Sequence, residues 1–167
     1  MGLTTPGVGP DPANFVGDAD PSSTTDPKVA DTDLDGIADG TEDLDRDGKV
    51  DSGEADPQKW DTDNDGLPDG NVTIASVVVG EDLNRNGVRD QDADGNWTET
   101  DFLANDSDVD GVLDGDEVNG TYCFATETGC TAGAVNNATR ILDPLNPDHE
   151  GDGLRDGQEV AGWKVAT

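Results

Sequence analysis

The stretch 31–70 constrains the fold most, because acidic residues recur in it at alternate positions around a glycine. It reads DTDLDGIADGTE from residue 31, DLDRDGKVDSGE from residue 43 and, six residues further on, DTDNDGLPDG from residue 61. Each block places Asp at positions 1, 3, 5 and 9 around Gly at position 6, and the first two end with Glu at position 12. When the glycine makes a tight turn, such carboxylates converge on one point, which is the ligand arrangement of a calcium-binding loop.

The composition indicates that this chain depends on bound ions to fold. Its 167 residues carry a formal net charge of −30, and only 31% of them are hydrophobic and 4% aromatic. A chain of this kind cannot bury enough apolar surface to offset its conformational entropy. We therefore expect metal to replace the missing hydrophobic core, and we expect the metal-free chain to be expanded.

The balance between the two acidic residue types favours calcium over a general acidic surface. The chain contains 31 Asp and 8 Glu. Calcium loops need the short Asp side chain at alternate positions, whereas a halophilic or solubilising surface uses Glu freely and scatters it. Halophily stays open as a background property, and we expect no nucleic-acid partner. No apolar run is long enough to span a membrane.

Two types of loop supply the candidate metal ligands, with a backbone carbonyl at position 7 and a bidentate carboxylate at position 12. First-type loops begin at residues 31, 61, 106 and 148, and second-type loops begin at residues 43 and 82. The candidates in first-type loops are Asp31, Asp33, Asp35, Ile37, Asp39 and Glu42; Asp61, Asp63, Asp65, Leu67 and Asp69; Asp106, Asp108, Asp110, Val112, Asp114 and Glu117; and Asp148, Glu150, Asp152, Leu154, Asp156 and Glu159. The candidates in second-type loops are Asp43, Asp45, Asp47, Lys49, Asp51 and Glu54; and Asp82, Asn84, Asn86, Val88 and Asp90.

Two insertions interrupt the second copy of this pattern. The loop at 61 has Val72 at position 12, so we expect it to bind more weakly or to borrow Glu81 or Asp82. The first insertion, NVTIASVVVG, stands where the closing acid of this loop is expected and is the only β-like run in the chain. The other insertion adds Asp92 and Asp94 to Asp90 in an Asp-x-Asp-x-Asp-Gly fragment that could hold one more ion.

Residues between and within the loops recur in phase with them. An Asp precedes each first-type loop by five residues, and we expect it to cap a turn or to lend a carboxylate to the adjacent ion. These residues are Asp26, Asp56, Asp101 and Asp143. Apolar residues at position 7 or 8 are expected to face inward between loops. They are Ile37, Val50, Leu67, Val88, Val112 and Leu154.

The flanks of these loops separate them from EF-hands, which need a helix on either side. Glu42 is followed directly by Asp43, the first ligand of the next loop, so no helix is expected there. Chained loops of this kind with an Asp-Pro connector resemble thrombospondin type 3 repeats, over roughly residues 26–118 and 143–159. The resemblance implies little regular secondary structure, calcium ions as the core, and an extended rod that carries other domains. A second similarity links LRDGQEVAGWKV to the calcium-binding segment of protective-antigen-type toxins.

The expected fold is therefore mostly irregular: a calcium-stabilised repeat array with a few short β-strands or hairpins, shaped as an elongated rod. We divide it into an extended leader or docking arm (1–30), the calcium-loop array (31–118), a disulfide-closed hairpin insert (119–147), and the last loop with its tail (148–167). Cys123 and Cys130 would form the disulfide in an oxidising compartment, and free thiols are the alternative. N-glycosylation sequons begin at Asn71, Asn96, Asn105, Asn119 and Asn137.

These patterns predict a structural role outside the cell or on its surface, where millimolar calcium can fill such loops. The chain would serve as a rigid stalk or as a filament subunit. Its partners would be identical subunits arranged head to tail or flanking domains of a longer surface protein, with N-linked glycans attached. The alternative is a dockerin-like or toxin-associated module for calcium-dependent protein interaction. We expect no enzymatic activity, because no Ser/His/Asp set, phosphate loop or shielded pocket accompanies the carboxylates.

Overall fold

The chain is mostly loop, as predicted. The computed structural model describes residues 19–22, 24–26, 28–74, 77–120 and 142–161. In this part of the chain, regular structure is confined to three short helices and one two-stranded antiparallel hairpin. The helices are α1 (Asp39–Glu42), α2 (Asp114–Asn119) and α3 (Asp156–Ala161), and the strands are β1 (Asn71–Ile74) and β2 (Val77–Gly80). No helix in these ranges is long and apolar enough to cross a membrane.

The short helices are the main departure from the expected absence of helix. Each begins at position 9 of a first-type loop. The N–H of that residue donates to the carbonyl oxygen that precedes the loop, as Asp39 does to Ala30 at 3.0 Å. One helical turn then separates position 9 from position 12, so it completes the loop rather than flanking it as in an EF-hand. α2 is followed by Gly120, which adopts the left-handed conformation and donates its N–H to the carbonyl oxygens of Asp116 and Glu117.

The hairpin replaces this helix in the loop at 61. β1 pairs with β2 in the register Asn71↔Gly80 to Ile74↔Val77, at the valine-rich run that the sequence marked as β-like. The chain returns next to its starting point, where the N–H of Glu81 donates to Pro68 at 3.1 Å and that of Asp82 to Asp69 at 2.8 Å. The ten residues of the hairpin therefore project from the loop, and the chain resumes at Glu81 next to the point where it left the loop.

Acidic side chains outnumber apolar ones in the interior of the described residues. The buried apolar side chains are Ile37, Ala55, Leu67, Phe102, Val112 and Leu142. The buried acids are Asp35, Glu42, Glu54, Asp65, Asp69, Glu81, Asp82, Glu99, Asp110, Asp114, Glu117 and Asp156. Acids outnumber apolar side chains even when the buried Pro57 and Pro68 are counted, and burying acids is unfavourable without counter-charge.

The prediction of inward-facing apolar residues is right for one loop type and wrong for the other. Ile37, Leu67 and Val112, at position 7 of first-type loops, are buried. Val50 and Val88, in second-type loops, are 37% and 41% exposed, and Leu154 is half-buried. First-type loops bury position 7 because each is covered by the next one, as described below.

Several predicted features lie outside the described residues. They are the leader up to residue 18, the disulfide between Cys123 and Cys130, most of the insert 119–147 with Asn137, and the tail from residue 162.

Candidate metal centres

Backbone N–H groups orient the acidic side chains of each first-type loop. In the loop at 31, Asp31 accepts hydrogen bonds from Leu34 at 2.7 Å and Gly36 at 3.2 Å. Asp33 accepts from the N–H of Asp35 at 3.2 Å, and Asp35 accepts from that of Ile37 at 2.7 Å. Carboxylate oxygens of the three Asp residues consequently lie within 4.8 Å of one another, as do those of Asp61, Asp63 and Asp65 in the next first-type loop. Such groups can hold a metal ion.

The turn of each first-type and second-type loop has left-handed backbone at positions 4 and 6, and the sequence predicted it only at the glycine of position 6. Glycine occupies position 6 as predicted, with φ of 107° at Gly36 and 103° at Gly111. Position 4 is also left-handed, although it is not glycine in five loops: Leu34, Arg46, Asn64, Arg85 and Val109, with φ between 61° and 67°. This conformation is costly for such residues, and most so for the β-branched Val109. Strain of this kind persists only where surrounding interactions enforce it, here including the N–H bond from Leu34 to Asp31.

Position 2 of the first-type loops at 31, 61 and 106 carries a Thr or Ser hydroxyl that was not among the predicted site residues. Thr62 donates its backbone N–H and its hydroxyl to the two carboxylate oxygens of Asp69, at 2.7 and 2.5 Å. The same hydroxyl accepts the N–H of the connector residue Asp56 at 3.0 Å. Thr32 makes the corresponding three contacts in its loop, and Ser107 makes two of them: its backbone N–H donates to Asp114 and its hydroxyl accepts the N–H of Asp101. The recurrence of Thr or Ser directly after the first Asp was the available signal.

The glutamates that close the first-type loops at 31 and 106 are buried without hydrogen-bonded partners for their carboxylates among the described residues. Glu42 and Glu117 are 1% and 0% exposed, and both oxygens of each have no hydrogen-bond partner among the described residues. Burial raises the pKa of each to about 9, with a further contribution from neighbouring acids, of which Asp35 is the largest for Glu42. An isolated buried carboxylate costs several kcal/mol. A divalent cation among these acids would remove that cost.

Glu81 takes the place of the missing position-12 acid in the loop at 61. It is 0% exposed, and burial followed by the charges of Asp65, Asp63 and Asp69 raises its pKa to about 10. The Thr100 hydroxyl lies near enough to oppose this shift weakly, but neither Glu81 oxygen reaches hydrogen-bond geometry with any described group. Of the two candidates for borrowing, the structure thus brings Glu81 to the loop. Asp82 instead begins the next loop, accepting the N–H groups of Arg85 and Gly87.

Second-type loops use their closing glutamate differently. Glu54 accepts the N–H groups of Leu44 at 2.9 Å and Asp51 at 2.8 Å, and it groups with Asp43 and Asp45 as a possible ion site. In the other second-type loop, Glu99 accepts the equivalent N–H groups of Leu83 at 2.8 Å and Asp90 at 3.1 Å. Glu99 is therefore the counterpart of Glu54, displaced by the insertion. It was absent from the predicted ligands, although the equal spacings from Glu54 to Asp61 and from Glu99 to Asp106 marked it.

The inserted fragment with Asp92 and Asp94 is an exposed turn. Asp92 accepts the N–H groups of Asp94 at 2.8 Å and Asn96 at 2.9 Å. Hydrogen bonds from Asn96, its side chain first, lower the pKa of Asp92. Asn84 and Asn86 turn their side-chain amides toward Asp90, which accepts from both. Since none of these carboxylates is buried, the fragment offers weaker support for a further ion than the first-type loops do.

The four connector residues cap turns. The carboxylates of Asp26, Asp56, Asp101 and Asp143 each accept the N–H two residues further on, at 3.0 to 3.2 Å. The second oxygen of Asp56 pairs with Lys59 at 3.0 Å and that of Asp101 with Arg89 at 3.4 Å. Of the two roles expected for them, the geometry supports the turn cap.

Successive first-type loops contact each other through the same positions. Asp35, Asp65 and Asp110, at position 5, accept the N–H of Gly70, Gly115 and Gly157, at position 10 of the following loop, at 2.8, 2.9 and 3.1 Å. A Cβ atom on Gly70 would lie 2.7 Å from a side-chain carbon of Ile37 and 2.9 Å from the carbonyl oxygen of Asp35. Glycine is thus required at position 10 by the close approach of the preceding loop.

Carboxylates from both loops meet at this contact. Oxygens of Asp35, Glu42 and Asp69 lie within 4.8 Å of one another, although Asp69 belongs to the next loop. The charge of Asp114 likewise contributes to a raised pKa of Asp65, and that of Asp156 to the raised pKa of Glu117. The negative charge at each contact therefore comes from two loops, and an ion bound there would join them.

The predicted glycosylation sites differ in their surroundings. Asn96, Asn105 and Asn119 are exposed, whereas Asn71 is half-buried and donates its side-chain amide to the carbonyl oxygen of Leu83 at 2.6 Å. Glycosylation at all of these positions stays a prediction.

Known proteins add nothing to this description of the sites. No protein-family model matches the chain, and neither the curated proteins nor the solved structures compared with it yield a match.

Proposed function

We propose that this chain is an extracellular calcium-binding structural protein, in which ions held by and between the loops replace a hydrophobic core. The observation that carries the proposal is the burial of Glu42, Glu81 and Glu117, each facing other acids with no hydrogen-bonded partner in the described structure. A fold that buries such groups is expected only if a cation compensates them. Calcium would supply that charge and accept six to eight oxygens per ion.

The donor set favours calcium over other metals. The grouped side chains are carboxylates, which suit hard cations, whereas zinc prefers Cys and His. Magnesium demands near-ideal octahedral geometry and gives up its water reluctantly, so it is a poorer match for loops in which most oxygens come from the protein. Loops of this kind outside the cell bind calcium with dissociation constants of about 10⁻⁴–10⁻³ M, which is why we place the protein there.

The contacts between loops support an array in which each first-type loop depends on its neighbours. The same pair of positions, 5 and 10, joins the loops at 31, 61, 106 and 148 in order. Such nearest-neighbour contacts are typical of repeat proteins, whose length grows with the number of units. We infer an elongated, calcium-stiffened rod, serving as a stalk or as a filament subunit.

The test is to count ions and measure compaction on the same sample. Calcium titration by calorimetry should show several ions per chain, and small-angle scattering should show a radius of gyration that rises when a chelator is added. Magnesium at the same concentration is the matched control and should reproduce neither result. Equal compactness in calcium and in chelator would refute the proposal.

The alternative, a dockerin-like or toxin-associated interaction module, has less support. Dockerins present helices that follow their loops, whereas the helices of the described residues have at most six residues, begin within the loops and run at most two residues past position 12. Capture of a folded partner by isolated, compact particles in calcium would favour this alternative.

A further inference from the structure

The contact between first-type loops is formed three times along the described chain, and each half of it is recognisable. One half is the position-5 carboxylate with the position-7 side chain, and the other is the glycine at position 10. At Gly70, Gly115 and Gly157 a Cβ atom would collide with the backbone of the preceding loop. The contact therefore leaves a clear mark on any loop that has a neighbour.

The first loop has the glycine half of this contact without a neighbour among the described residues. A Cβ atom on Gly40 would meet nothing within 4 Å. Gly40 instead borders a cavity of about 200 Å³, together with Asp39, Asp43 and Gly48. Among the described residues, the position-10 glycine of the first loop thus borders an open cavity rather than a preceding loop.

The last loop has the other half. Asp152 occupies position 5 and is exposed, whereas Asp35, Asp65 and Asp110 at the same position are 0%, 6% and 7% exposed. Leu154 at position 7 is half-buried, whereas Ile37 and Leu67 are buried. No described loop follows to cover them.

We propose that the loop 148–159 of one copy docks into the cavity at Gly40 of a second copy, repeating between chains the contact made within each chain. Asp152 would accept the N–H of Gly40, as Asp35 accepts that of Gly70. Asp39 would then stand beside Asp152 as Asp69 stands beside Asp35. This inference rests on the proposed function, because the acidic surfaces would repel each other without calcium.

A second copy is the occupant that fits because both halves of the contact are present on one chain and match in position. Such an interface is heterologous: each copy uses its last loop on one side and its first loop on the other. A heterologous contact that does not close into a ring produces an open chain of subunits. The expected product is therefore a calcium-dependent filament.

The experiment is sedimentation velocity of the full chain in millimolar calcium and in chelator, with two variants. Gly40→Leu adds bulk beside the cavity at a position where a Cβ atom meets nothing within 4 Å, so it should remove association while leaving the calcium-induced compaction of the single chain intact. Ser52→Leu adds the same bulk at an exposed position of a neighbouring loop and is the matched control, which should associate like the unmodified chain. Asp152→Asn should also prevent association.

Mixing the variants tests the direction of the contact. Gly40→Leu retains a functional last loop and Asp152→Asn retains a functional first loop, so an equimolar mixture should form dimers while each variant alone stays monomeric. The proposal is overturned if the unmodified chain stays monomeric in calcium, as it would if its own residues before 19 filled the cavity, or if Gly40→Leu associates normally. A chain that binds calcium but stays monomeric would overturn this inference alone, whereas a chain that binds none would overturn the proposed function as well.

Discussion

Replacing Glu81 by Gln changes the stability of the calcium-loaded and metal-free forms in opposite directions. The substitution keeps the size of the side chain and removes its charge. In calcium, the loop at 61 loses its buried closing carboxylate, which lies among Asp63, Asp65 and Asp69. In chelator, the same substitution removes an acidic group that is buried among other acids.

The two magnitudes follow from burial and pKa. Removing one partner of a buried charge pair costs about 3–5 kcal/mol, so calcium affinity at this site should fall by roughly two to three and a half orders of magnitude. Without metal, an ordinary Glu titrates near 4.5 and Glu81 near 10, so folding at pH 7 requires this carboxyl to take up a proton. That uptake costs about 3 kcal/mol, which the neutral Gln avoids.

The assay combines calcium titration by calorimetry with unfolding measured in calcium and in chelator. Glu42→Gln makes the same change in a loop with ordinary spacing and should give the same pair of effects, because both side chains are buried beside their loop acids. Asp94→Asn, in the exposed insertion, is the neutral control. If Glu81→Gln left calcium affinity unchanged, or weakened the metal-free form as much as the loaded one, Glu81 would not be a ligand and the reasoning would fail.

Three further predictions follow from other contacts. Gly115→Ala should destabilise the calcium-loaded chain by about 1–3 kcal/mol in thermal unfolding, since its Cβ would collide with the carbonyl oxygen of Asp65. Gly40→Ala, the control, should be neutral or slightly stabilising. Equal effects of the two substitutions would contradict the contact between loops. Thr62→Val removes the hydroxyl that bonds Asp69 and the connector N–H, and should lower stability in calcium by about 1–2 kcal/mol, with an unchanged midpoint counting against it. In chelator, the compact state should be favoured below pH 4.5 and lost as the pH rises through about 9. The reason is that the raised pKa of Glu42 makes the folded form bind more protons than the unfolded form. Small-angle scattering that showed compaction increasing with pH would contradict this prediction.

The local part of this structure was readable from the sequence, and the long-range part was not. Spacing indicated the acids at positions 1, 3 and 5 and the glycine at position 6, and residue type indicated the β-like run at 71–80 that forms the hairpin, because each depends on neighbours a few residues away. Glu81 and Glu99 were harder to assign because insertions displaced them from position 12. The left-handed backbone at Leu34 and Val109 had no signal, since neither residue type favours it. The contact between Asp35 and Gly70 joins residues 35 apart, beyond the reach of a pattern within one loop.

The glycine at position 10 shows how such a contact can nevertheless leave a trace. Asp-Gly recurs at 39–40, 69–70, 114–115 and 156–157, and a second glycine in each loop has no role in the turn at position 6. In the structure, the Asp at position 9 adds negative charge to the ion site of the preceding first-type loop. The glycine at position 10 lets the backbone of that preceding loop come close. Ion binding and loop–loop contact therefore depend on adjacent residues, the Asp at position 9 and the glycine at position 10. An ion that fills the site of one loop consequently also favours the contact with the next loop. For that reason the loss of Glu81 should weaken the neighbouring loop at 106, which contributes Asp114 to the charge around Asp65, more than it weakens the loop at 148.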